Sequence, residues 1–133
     1  MNSAFPDKAQ FEEAFYRNGS LVIRMLLAFR YLTSYKGGTV KIPAGFLSDG
    51  ASIPRVFWGI FSPFGEYLKA ALVHDFLYSK DSTDLFPCDR LTADLIFKEA
   101  MFNIGIGWLQ RGIIYRAVRM GGWASYKKKF SQD

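Results

Sequence analysis

Ala70-Ala71-Leu72-Val73-His74-Asp75-Phe76-Leu77-Tyr78 is an apolar helical run holding the only histidine of the chain, with an aspartate beside it and a tyrosine one turn on. On a helix His74 and Tyr78, four apart, share a face, and Asp75 sits about 100° round with Tyr78 three residues further. Three polar groups therefore gather on an otherwise apolar element. Histidine is the side chain whose ordinary titration suits proton transfer near neutrality, and a neighbouring carboxylate can orient its ring or hold a cation.

The run extends to a helix over about Glu66–Ser79, bounded before by Ser62-Pro63-Phe64-Gly65 and after by a polar loop, Lys80–Cys88, that contains Pro87. Asp89 is a good N-cap for a second helix, Arg90–Phe102, whose apolar stripe is read as Leu91, Leu95, Ile96 and Met101 with Glu99 interrupting it. With a connection of about ten residues the two helices pack most simply antiparallel. Asp94, beside the small Ala93 and four after Arg90, then comes within reach of the His74 ring or the Tyr78 hydroxyl.

Asn103-Ile104-Gly105-Ile106-Gly107 closes the second helix, and a third runs from Trp108 to Met120, stopped by Gly121-Gly122. Ile113, Ile114, Ala117 and Val118 form its apolar side, while Arg111, Arg116 and Arg119 are read as pointing outward. Towards the N-terminus, Phe11 and Phe15 four apart suggest a helix over Ala9–Tyr16, ended by Asn18-Gly19. Leu21, Ile23, Met25, Leu27, Phe29 and Tyr31 alternate, which predicts one strand over Leu21–Leu32. Ser34-Tyr35-Lys36-Gly37-Gly38 supplies a turn, and Thr39–Pro43 returns as the second strand of a hairpin. Residues 44–54 read as an ordered loop of small residues, and Pro54–Phe61 as a short helix. The expectation is an α+β fold, mainly helical: an antiparallel helix pair bearing the polar site, plus a small N-terminal β-hairpin.

At 133 residues the chain fits one domain, 1–133, with 1–8 and 127–133 loose. Half the residues are hydrophobic and 17% aromatic, which excludes a disordered chain. The net charge of +5 gathers in the last part of the chain, where Arg116, Arg119, Lys127, Lys128 and Lys129 face Asp133 alone. That excess suits either a solvated basic tail or attraction to phosphate or lipid headgroups; the basic residues are not interleaved into a nucleic-acid module, so no nucleic acid is expected. One cysteine, Cys88, excludes an internal disulfide, and there is no C-x-x-C metal signature. No basic-then-apolar leader opens the chain and no apolar run reaches about 18 residues without a charge, so neither a signal peptide nor a membrane span is read.

The His74, Asp75, Tyr78, Asp94 set has a chemical use. A histidine held by Asp94 and supported by Tyr78 abstracts a proton from water, while Asp75 ligates a cation that stabilises the developing oxyanion. A hard cation such as calcium takes oxygen ligands, and two loops could supply them: 48–52, where Asp49 is the acidic residue, and 62–65. The plainer alternative is a satisfied, half-buried polar pair in which Arg90 and Asp94 make an ordinary helix ion pair. Asp49-Gly50-Ala51-Ser52 would then be an Asx-type turn, and Trp58, Trp108 and Trp123 core or surface anchors.

Pro43-Ala44-Gly45-Phe46, Asp49-Gly50-Ala51-Ser52-Ile53-Pro54-Arg55 with Trp58, His74-Asp75-Phe76-Leu77-Tyr78, Arg90 with Ala93-Asp94 and Phe97, and Val118-Arg119 with Gly121-Gly122 together resemble the phage and prophage family catalogued as domain of unknown function 1353, over about residues 29–123. That resemblance implies a bacteriophage or prophage origin. Residues 66–118 also resemble the histidine-aspartate helix pair of phospholipase A2, in its compact parvoviral form. By this second resemblance His74 would be the base, Asp75 the calcium ligand, Asp94 the carboxylate behind the histidine and Tyr78 its support. The glycine-rich calcium loop of that superfamily has no clean match; Trp58–Gly65 occupies roughly its place with fewer glycines.

Two functions are therefore carried forward. One is a phage-encoded, calcium-dependent hydrolase of membrane lipid esters, with membrane phospholipid as its partner. The other is a non-enzymatic tail or baseplate component, or a factor binding a host protein, which meets other virion proteins through the aromatic surface around Trp58 and Trp123. Either would be made in the host cytoplasm, and the second would end associated with the virion.

Overall fold

The computed structural model describes residues 4–17, 20–48, 67–121 and 126. Among these residues the elements run β1 (Phe11–Arg17), β2 (Ser20–Met25), β3 (Phe29–Leu32), β4 (Thr39–Ile42), β5 (Leu47–Ser48), α1 (Tyr67–Tyr78), α2 (Ser82–Leu85), α3 (Arg90–Asn103) and α4 (Trp108–Gly121), with a 3₁₀ turn at Tyr35–Gly37. One antiparallel sheet has the order β1-β2-β5 and a second pairs β3 with β4, so the fold is α+β. Asp49, the short helix expected at Pro54–Phe61, the 62–65 loop, Trp58, Trp123 and Lys127–Lys129 all lie outside the described residues.

Two N-terminal expectations are corrected. The segment expected as a helix over Ala9–Tyr16 is strand β1, paired with β2 so that Glu12 stands opposite Arg24 and Arg17 opposite Ser20. A register shift between Glu13 and Phe15 breaks the alternation of the strand, so that Phe11 is half-buried and Phe15 exposed. An Arg24–Glu12 ion pair of 2.9 Å ties the strands. Cross-strand pairing outweighed a weak helical period.

The single strand expected over Leu21–Leu32 is two strands, β2 and β3, in different sheets. The Met25 backbone bonds to Gly45 and Phe46, so the chain leaves the first sheet there, and Leu26 and Leu27 are exposed at the break. The hairpin itself stands as read, β3 against β4, with Tyr31 opposite Val40. The described part of the N-terminal arm is tied to β3: Phe5 is buried against Phe29 and Tyr31, and Asp7 accepts hydrogen bonds from the Arg30 backbone and guanidinium.

α1 is buried all round, with Lys69 its one partly exposed residue. A helix apolar on every side must be the centre of its domain. It packs against α3 on one side and β4 and β5 on the other, where Phe46 meets Phe76 edge to face at 5.5 Å. Its last carbonyls are covered by hydroxyls: Ser79 Oγ donates to Phe76 O, and Ser82 Oγ to Leu77 O and Ser79 O.

α3 begins as expected, the Asp89 carboxylate accepting from Thr92 N at 2.8 Å. At its far end Gly105, at φ +90°, turns the chain so that Ile106 N bonds Met101 O. Tyr67 meets Met101 and Phe97, while His74 and Tyr78 meet Asp94, so α1 and α3 are antiparallel. The seam is not the predicted stripe: Leu91 is exposed, and Ala93, Asp94, Ile96, Phe97, Ala100 and Met101 face inward. Small alanines admit the close approach, and the polar residues of α1 call for Asp94 opposite them. Glu99 faces the hairpin, accepting from the Tyr31 and Thr33 hydroxyls and from Ser34 N and Oγ.

Candidate active site

The antiparallel seam brings His74, Tyr78 and Asp94 together. His74 Nε2 lies 2.7 Å from Asp94 Oδ1, and the Tyr78 hydroxyl donates to that same oxygen at 2.5 Å. One turn of α1 separates the two, so both reach one acceptor on the facing helix. The histidine ring is clasped between the Phe97 ring, stacked at 4.4 Å, and the Tyr78 ring at 4.1 Å. Tyr126 closes over Tyr78 edge to face at 5.2 Å, its own hydroxyl donating to Cys88 O.

The other carboxylate oxygen is held by arginines. Arg119 Nη1 donates to Asp94 Oδ2 at 2.7 Å, and Arg90 Nη1 lies 3.5 Å from it while also donating to Arg119 O. The expectation that Arg119 points outward is thereby corrected. A carboxylate that is 0% exposed, facing a histidine and a phenol, draws the nearest cation across from the next helix. No local pattern in α4 distinguishes Arg119 from Arg116; only the buried charge on α3 explains it.

Burial alone would push the Asp94 carboxyl up, but the hydrogen bonds from His74, Tyr78 and Arg119 and the electrostatic attraction of the histidine outweigh it and hold the group below the usual aspartate range. The Tyr78 hydroxyl is pushed well up, by burial first and then by Asp94, so it acts as a donor. Arg119 is held further up by its bond to Asp94. Ionised Asp94 can only accept, so the hydrogen between it and His74 is carried by Nε2.

Asp75, 1% exposed, turns instead to β5, where Ser48 Oγ donates to its Oδ2 at 2.5 Å. Ser48, expected only as part of a loop, is therefore a partner of the second carboxylate. For a hard cation the donors fit in kind, being carboxylate and hydroxyl oxygens. Calcium takes about six to eight oxygens, and among the described residues no group of three or more His, Cys, Asp or Glu is gathered. Asp49, the other candidate ligand, lies outside the described residues.

A family model described as a protein of unknown function (DUF1353) matches residues 23–118. The match spans β2 to α4 and contains His74, Asp75, Tyr78, Arg90 and Asp94, ending one residue before Arg119. Among curated proteins, the chain is similar to the uncharacterized protein y4jT of Sinorhizobium fredii (strain NBRC 101917 / NGR234), with 54% identity over 37 residues, 26% of this chain. The similarity spans only 11% of that protein's length. No solved structure matches the chain significantly.

Proposed function

The chain belongs to the DUF1353 family of proteins of unknown function, and from that premise we propose that it is a phage-encoded hydrolase of membrane phospholipid esters working in the manner of phospholipase A2. The observation that carries the reading is the convergence of His74 Nε2 and the Tyr78 hydroxyl on Asp94 Oδ1, with Asp75 next to the histidine. A histidine whose tautomer and ring plane are fixed by a buried carboxylate and two aromatic rings is organised as a general base. Such order is what a base needs and what a solvent-exposed histidine lacks.

In this reading the His74 ring takes a proton from water as the water oxygen bonds to the ester carbonyl carbon. The tetrahedral intermediate then collapses, the carbon–oxygen bond to the alcohol breaks, and the leaving alkoxide takes the proton back from the imidazolium. Asp94 stabilises the transient imidazolium without accepting its proton, and Tyr78 and Arg119 keep Asp94 in place. Asp75, with carbonyl oxygens from the adjoining chain, would hold calcium. Bound there, the ion would supply positive charge for the oxyanion.

The test is fatty-acid release from phosphatidylglycerol vesicles by the purified chain and by His74→Asn. The expected loss is about 10²- to 10⁴-fold, the usual worth of a general base. Activity that survives His74→Asn in a folded protein overturns the reading.

A second reading is a non-enzymatic virion or host-binding protein in which the same residues make a structural knot. It is favoured by their burial, 2% exposure for His74 and 0% for Asp94, and by the complete pairing of buried side-chain polar atoms among the described residues. Under it, fatty-acid release is absent, and Asp94→Asn changes melting temperature alone.

A further inference from the structure

α4 has two opposed faces. Ile114 and Val118 are buried and Arg119 turns in to Asp94, whereas Leu109, Ile113, Arg116 and Met120 lie on the outer side at helical spacing. Leu109 is 58% exposed and Met120 79%, and Trp108, at the start of the helix, is 77% exposed. A row of large apolar side chains facing water on a well-packed helix marks a contact surface.

Along the sequence, the charge of this part of the chain is of one sign. Between Glu99 and Asp133 the sequence has no acidic residue and carries Arg111, Arg116, Arg119, Lys127, Lys128 and Lys129. Within the described residues, Arg116 is exposed in the middle of the apolar row, and Lys98 lies over the Tyr115 ring at 4.8 Å. No described helix is long and apolar enough to cross a membrane. The elements are those of a helix lying in an interface: an apolar face, basic side chains long enough to reach headgroups, and a tryptophan at one end.

We infer that the outer face of α4 is a docking surface for an anionic phospholipid bilayer. Charge complementarity decides between this and a second copy of the chain. A symmetric pair through this face would bring Arg116 and its equivalent together, and α4 carries no acidic side chain to receive them. A bilayer rich in anionic headgroups meets the same cations with the opposite sign, while Leu109, Ile113 and Met120 enter the acyl boundary. The inference extends the lipid reading above from the site to the surface that would meet the substrate, and its test needs no hydrolysis.

The experiment is sedimentation of the full chain, carrying His74→Asn to silence hydrolysis, with phosphatidylcholine vesicles and with vesicles containing phosphatidylglycerol. Binding to the anionic vesicles is expected to exceed binding to neutral ones by at least about tenfold and to weaken with salt. Arg116→Glu, and separately Leu109→Ser with Met120→Ser, should each lower it about tenfold while the circular dichroism spectrum stays unchanged, since these side chains are exposed. A Lys127, Lys128, Lys129→Gln variant locates the effect: if it abolishes binding and the α4 variants do not, the inference falls. It falls equally if the anionic vesicles are not bound, or if the α4 variants instead abolish a dimer seen by sedimentation velocity. Absence of fatty-acid release by the parent chain, with vesicle binding intact, would overturn the catalytic reading and leave this one standing.

Discussion

Arg119 and Asp94 stand on consecutive helices, and Arg119 Nη1 meets Asp94 Oδ2 at 2.7 Å, on the carboxylate oxygen that His74 and Tyr78 leave to the arginines. One buried carboxylate thus joins α1, α3 and α4. Arg119→Met should cost about 1 kcal/mol, less than a fully buried partner would, because the guanidinium keeps part of its surface in water. Arg116→Met, on the exposed side of the same helix, should cost less than about 0.5 kcal/mol. Urea denaturation of the two variants checks the pair, and equal costs would return Arg119 to the surface.

Asp94→Ala removes the acceptor for every one of these donors and strands a buried histidine and phenol. The expected loss is about 2 to 4 kcal/mol, read by chemical denaturation at neutral pH. Asp94→Asn keeps the shape and should lose less. It should still lower fatty-acid release, because the amide cannot stabilise the imidazolium.

Acid should act on the same group. The Asp94 carboxyl is held below its ordinary value in the folded chain, so between the folded and unfolded values the unfolded chain binds more protons and stability rises with pH. The contribution is present above the ordinary aspartate value and is lost as pH falls through the folded one. Glu99, likewise held low by the hydroxyls of Ser34, Thr33 and Tyr31 despite its burial, adds to the same slope. Denaturation midpoints measured from neutral pH down into the acid range should fall, and should fall less steeply for Asp94→Asn than for the parent chain.

Glu99 ties α3 to the hairpin as Asp94 ties it to α1. Tyr31, Thr33 and Ser34 all donate to its carboxylate, and Asn103 Nδ2 donates in turn to the Tyr31 hydroxyl. Glu99→Ala should cost about 2 kcal/mol and speed amide exchange through Phe29–Ile42, with fatty-acid release nearly unchanged. Equal damage to both properties would mean that the hairpin supports the site.

How much of this was legible in the sequence follows from range. The helices around His74 and Asp94 were readable because caps, glycines and a strong apolar run act locally: Asp89 did cap α3, and Gly105 did close it. The meeting of His74, Tyr78 and Asp94 followed from two four-residue spacings and one short connection. β1 was not readable, because Phe11 and Phe15 satisfy a helical period while the partner that makes them a strand lies across a hairpin. Arg119 and the Ser48–Asp75 bond were hidden for the same reason. Each is fixed by a buried charge elsewhere, and no nearby residue announces it.

Ser48 and Asp75 pose the last question, that of the cation. The Ser48 hydroxyl occupies Asp75 Oδ2 at 2.5 Å, so a calcium ion at Asp75 must either share that carboxylate or displace the bond. If calcium binds there, Ser48→Ala removes one hydrogen bond that competes for the carboxylate and should change affinity without abolishing it, whereas Asp75→Asn removes the charge and should abolish it. Titration calorimetry on the folded parent chain and both variants separates the cases. Binding in the micromolar to millimolar range that Asp75→Asn loses supports the lipid hydrolase. No heat from a folded parent chain would remove calcium from the mechanism and leave Asp75 as a structural acceptor for Ser48, in which case Ser48→Ala should still cost about 1 kcal/mol through the hydrogen bond it takes from a buried carboxylate.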